Sequence, residues 1–148
     1  MKLTTFASSL LLAACTTAPV SSEEDVLGVY SCQVGPDRRD RLELQQGGAL
    51  TWTCWSNFVE TRGTGAWTTS ADAITFEIVR PDAWAPSPFA ASMALRRRGS
   101  HVYLVPFDSV RYFDLYGPAL GLCFARDDDH DIRYFRAPAT DGATGSSR

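Results

Sequence analysis

From residue 27 to residue 78 the chain alternates apolar and polar side chains in short runs separated by turn formers, and no run of helical period interrupts them. Leu27–Val34 is β-prone and ends at Gly35-Pro36-Asp37. Arg41-Leu42-Glu43-Leu44-Gln45 alternates cleanly before Gly47-Gly48. Ala49–Trp55 sets Leu50, Trp52 and Cys54 on one face and Thr51, Thr53 and Trp55 on the other. Val59–Thr68 carries Gly63 and Gly65, where a bend or close backbone approach is expected, and Ala73–Ile78 alternates again. A period of two places one face of each strand in a core and the other in water. Five such strands joined by short turns form an antiparallel meander.

The remainder extends the pattern. Pro81 to Pro88 is an irregular loop around Trp84. Strands follow at Ser92–Arg97 and His101–Pro106, with Gly99-Ser100 between them. Phe107–Tyr116 reads as one short helix, with Asp108 as N-cap, Gly117 and Pro118 as stops, and Val110, Phe113 and Tyr116 on its apolar side. Two last strands are expected at Leu120–Arg126 and Asp131–Ala137, joined by Asp127–His130. Eight or nine strands make residues 25–137 an all-β domain, a small antiparallel barrel with one short helix; the alternative is a β-sandwich. Closure removes exposed strand edges, and an eight-stranded barrel is filled by its own side chains or by one small ligand.

The amino terminus has a different character. Met1-Lys2-Leu3 precedes an apolar stretch to Ala14, too short to span a bilayer core of roughly 30 Å, and the stretch ends in Leu12-Ala13-Ala14-Cys15. This resembles the lipobox of bacterial lipoproteins. The resemblance implies a signal peptide over residues 1–14, diacylglycerol and a further acyl chain on Cys15, and a tether over residues 15–24. Several acyl chains together hold a protein stably at a membrane. Thr16, which is not Asp, implies the outer membrane, with the domain facing the periplasm. Residues 138–148 read as a disordered tail. Loss of residues 1–14 takes away Lys2 and no acid, leaving 13 basic and 17 acidic residues. That acidic balance argues against nucleic acid as a partner.

With Cys15 assigned to lipid, Cys32, Cys54 and Cys123 remain in a compartment that permits disulfides. In a meander Cys32 and Cys54 lie on second-neighbour strands, about 9.6 Å apart, beyond the roughly 7 Å that a disulfide spans. Barrel closure brings the first strand to the end of the chain and so favours Cys32–Cys123.

The layout Gly28-Val29-Tyr30, Leu42-Glu43-Leu44, Gly48–Trp52, Gly65-Ala66-Trp67 and Ile74-Thr75-Phe76 resembles the lipocalin-like, NlpE-type barrels of bacterial lipoproteins. The CxxC pair of that family is missing, so copper sensing does not carry over. Tyr30-Ser31-Cys32 followed by a later Cys is also similar to the periplasmic lysozyme-inhibitor lipoproteins, although their plugging loop is absent.

No catalytic set or cofactor site is legible. His101 and His130 are the only histidines, and no G-x-S-x-G motif occurs. Asp127, Asp129 and Asp131 are potential oxygen ligands for Ca²⁺, but without an EF-hand pattern they read as a polar turn. Arg96-Arg97-Arg98 reads as a strand end. Trp55, Trp84, Phe89 and Tyr112 fall outside the inward sets and are candidates for a partner-binding patch. The expectation is a non-catalytic, lipid-anchored binding protein whose partner is an envelope hydrolase or toxin. The alternatives are a carrier or sensor of a small apolar ligand and a structural envelope lipoprotein.

Overall fold

The computed structural model describes residue 20 and residues 22–79, 89–129 and 133–134. Cys15, Trp84, His130, Asp131, the signal peptide and the tail lie outside the described residues. The expected meander forms as β1 (Gly28–Gln33), β2 (Arg38–Leu44), β3 (Ala49–Ser56), β4 (Val59–Ser70), β5 (Ala73–Val79), β6 (Ser92–Arg98) and β7 (His101–Pro106). Each pairs antiparallel with the next. After the short pieces β8 (Ala119–Leu120) and β9 (Ala125–Arg126), β9 returns to β1 as the eighth strand of one sheet. Leu104 of β7 exchanges both backbone hydrogen bonds with Phe124, at 3.1 and 2.8 Å, so the two sheet edges meet. The result is a nearly closed antiparallel barrel, which excludes the sandwich.

Alternation decides what fills it. Tyr30, Leu42, Leu44, Leu50, Trp52, Trp67, Ile74, Phe76, Met93, Leu95, Val102, Leu104 and Phe124 form one buried cluster. Gly63 is required by close approach, since a Cβ there would stand 2.6 Å from the Trp52 indole.

A second, smaller core lies outside the barrel wall. The helix is a 3₁₀ turn, Phe107–Ser109, running into α2 (Val110–Tyr116). It lays Val110 and Phe113 against Tyr103 and Val105 of β7, together with Ala119, Leu122, Cys123 and Ala125. Asp108 is not the cap: the N-cap of α2 is Ser109, which makes no side-chain cap bond, because the 3₁₀ turn has already taken up Asp108. Gly117 ends the helix as expected.

Three expectations need correction. The last residues of the expected tether are ordered: Ser22 caps a short helix, α1 (Glu23–Val26), by accepting the Asp25 N–H. The strand expected over Leu120–Arg126 is broken at Gly121, whose φ of +82° is incompatible with extended backbone. Among the described residues the last two strands form no hairpin; β10 (Arg133–Tyr134) pairs instead with β8, in parallel.

Candidate functional site

The barrel has two ends of unlike construction. At one end α1 and the residues beside it lie across the opening as a strap. Val26 is fully buried and Val20 packs on the same core. Tyr30 Oη donates to the Val26 carbonyl at 2.8 Å. Arg126 donates to the carbonyls of Asp25 and Leu27 at 2.5 and 2.8 Å, and its guanidinium lies 5.7 Å from the centre of the Tyr30 ring. Arg97 pairs with the Asp25 carboxylate at 2.9 Å. The Gly47 N–H of the β2–β3 turn donates to Glu23.

The other end carries the two turns β1–β2 and β3–β4, joined by the Asn57 N–H donating to the Asp37 carbonyl at 3.2 Å. Asn57 and Phe58 link β3 and β4 as a two-residue turn in which both φ angles are positive, 49° and 66°. This is the turn geometry that matches strand twist, and it is normally occupied by Asn-Gly. For a side chain larger than Asn the left-handed region costs about 1–2 kcal/mol. Phe58 nonetheless occupies it, with a relative exposure of 109%. Val59 and, on the adjoining turn, Val34 are also exposed. Phe58 thus forgoes both apolar burial and relaxed backbone, and such a residue is a functional candidate by physical argument.

The pedestal under it is cross-braced by side chains. Arg39, Trp55 and Glu60 are cross-strand partners in register over β2, β3 and β4. The Arg39 guanidinium lies 5.9 Å from the Trp55 ring centre, and Trp55 Nε1 donates to Glu60 at 2.8 Å. Arg62 also binds Glu60. Its guanidinium, then the indole N–H, holds the Glu60 carboxyl below its ordinary range. On the inner face of the same end Cys32, Asp40 and Cys54 stand in one cross-strand row. Asp40 is 3% exposed, and Arg38 binds its two oxygens at 2.9–3.2 Å.

The expected intervening strand between Cys32 and Cys54 is therefore real, and Asp40 fills it. Among the described residues there is no disulfide: Cys32, Cys54 and Cys123 are all thiols, which corrects the expected Cys32–Cys123 bridge. Cys32 belongs to the barrel core and Cys123 to the outer core. Burial, the largest cause for each, pushes Cys32 and Cys54 up to about 11 and Cys123 up to about 12. Such protonated thiols are poor nucleophiles.

Of the described aromatics singled out from the sequence, only Trp55 lies at this end's outer face; Trp84 lies outside the described residues. Phe89 is a core residue instead, edge-on to Phe76 and Phe124 at 5.3 and 6.1 Å. Tyr112 is exposed on α2, stacked on Tyr116, apart from the hairpin. Asp127 binds Ser31 Oγ and Arg41, whereas Asp129 is buried and accepts from Tyr103 Oη at 2.5 Å; the two turn to different partners. His101 is half-buried, 6.4 Å from the Tyr103 ring. Phe58 was missed, although Asn57 between two alternating runs signals a tight turn with Phe at its tip. Among known proteins, the chain matches no family model, no curated protein and no solved structure.

Proposed function

We propose that this is a non-catalytic, lipid-anchored periplasmic binding protein that presses its β3–β4 hairpin into a cleft on a protein partner. The partner class is a cell-envelope hydrolase or toxin, so the role is that of an inhibitor or immunity-type lipoprotein. The observation that carries this reading is Phe58, a strained and fully exposed aromatic on a braced hairpin. A protruding aromatic anchor ringed by polar contacts is the form that interface hot spots take. A pedestal already cross-braced before binding loses little conformational freedom on docking.

Lipid attachment at Cys15 fits this arrangement. The strap end carries the first described residues, and the eight residue pairs from Ser56–Val59 to Ala49–Ala66 set the tip roughly 24 Å from the Gly47-Gly48 turn. An anchor below the strap thus leaves the tip projecting away from the membrane, toward soluble enzymes. The mature protein is to be titrated into peptidoglycan hydrolysis by a lysozyme-class muramidase. Inhibition lost in Phe58→Ala supports the reading; hydrolysis unchanged across the envelope hydrolases tried, with no gain in lysozyme sensitivity of cells lacking the gene, removes it.

A further inference from the structure

The strap end holds a second arrangement, independent of the hairpin. Arg97 projects from the inner face of β6, two residues beyond the buried Leu95. Arg126 stands on β9 beside Tyr30. Two guanidinium groups at one end of a barrel are an unusual lining, because a cation removed from water needs a paired anion or oxygen acceptors. Here the strap supplies the Asp25 carboxylate to Arg97 and the carbonyls of Asp25 and Leu27 to Arg126, while the Tyr30 hydroxyl of the barrel accepts from Arg126 Nε at 3.3 Å. It also inserts Val26 and Val20 into the core. The strap therefore presents a carboxylate joined to an apolar segment.

The fit is incomplete. Arg97 Nε is buried without a hydrogen-bond partner, so half of the guanidinium fork that suits a carboxylate bidentately is unused. Beside the strap lies a cleft of about 250 Å³, lined by Val20, Glu23 and Val26 of the strap side and by Thr69, Ser70 and Leu95 of the barrel. Glu23, Glu24 and Asp25 are on the strap and leave with it, whereas Asp128 stays beside Arg126 and Tyr30, on the far side of the opening from the cleft. Asp127, close to Arg126 in sequence, is held on the outer face by Ser31 and Arg41.

We infer that the strap is an internal stand-in for a ligand, and that the barrel end beneath it is a binding site for a small amphipathic carboxylate. The carboxylate would take the full Arg97 fork, and its apolar chain the space of Val26 and Val20. A ligand that binds only the strap-displaced state has its affinity reduced by the fraction of molecules in that state.

The test is calorimetric titration of decanoate into the whole mature protein and its variants, with methyl decanoate as the uncharged probe. Asp25→Ala is expected to bind decanoate about tenfold more tightly than the parent, because the internal competitor is gone. Ser22→Ala, which removes only the exposed cap of α1, should shift affinity in the same direction by a smaller factor and covers the case in which Asp25→Ala does not fold. Adding Arg97→Gln to Asp25→Ala should abolish the gain, and Arg97→Lys should restore part of it. Unchanged decanoate affinity in the folded strap variants, or equal gains for decanoate and its methyl ester, would overturn the inference.

Discussion

The two ends of this barrel use similar residues for opposite purposes. At the strap end arginines, an aromatic ring and short aliphatic side chains turn inward and hold the strap: Arg126 holds two carbonyls, Tyr30 a third, and Val26 is fully buried. At the hairpin end arginines and aromatics turn outward: Arg39 and Glu60 brace Trp55 while Phe58 is left in water on a left-handed turn. Hydrophobic burial of a side chain like Phe is worth about 1.5–3 kcal/mol. One end collects that stabilisation and the other declines it. Stability is therefore expected to reside at the strap end and recognition at the tip.

That contrast is breakable by substitution, starting with the largest effect. Tyr30→Ala should cost about 4 kcal/mol in denaturant unfolding, since it empties a fully buried aromatic site and frees the strap; a cost under about 1 kcal/mol would show that the strap end is not a stability centre. Alkali should come next. The buried thiols hold their protons to about pH 11 and 12, whereas an unfolded thiol loses its proton near 9. The unfolded state then binds fewer protons, so stability is full below pH 9 and falls as pH rises from 9 through 11, by up to about 3 kcal/mol for each fully buried thiol and less for the half-buried Cys54. Cys32→Ala, Cys54→Ala and Cys123→Ala together should flatten that limb of the pH curve. Arg126→Gln should cost about 2 kcal/mol, by leaving the Asp25 and Leu27 carbonyls without their donor. At the tip, Trp55→Phe removes only a solvent-exposed bond to Glu60 and should cost well under about 1 kcal/mol while weakening partner binding.

The barrel was legible because alternation is a local signal. Leu42, Leu44, Leu50, Trp52, Ile74 and Phe76 fall on the inner face by period alone, and they are the core. The closing segment was not legible, because two-residue strands such as β8 and β9 have no period to read. Their positions follow from Gly121 and from the Leu104–Phe124 bridge. Ser22-Glu23-Glu24 reads as the end of a tether because the stretch before it is polar and without period; what places the strap is tertiary, two arginines at positions 97 and 126. Phe89 looked like a surface aromatic, yet the ring fills space between Phe76 and Phe124, a pairing that no sequence separation announces. For the tip the local signal existed in Asn57. Whether Phe58 would be covered by a neighbouring loop was a question of fold.

Phe58→Gly separates recognition from stability most directly. Glycine adopts the left-handed turn without strain, so the melting temperature should rise by a few degrees, corresponding to about 1 kcal/mol, while muramidase inhibition disappears. A variant that melts lower than the parent, or that inhibits as well as the parent, would contradict the assignment of the hairpin tip as the binding element.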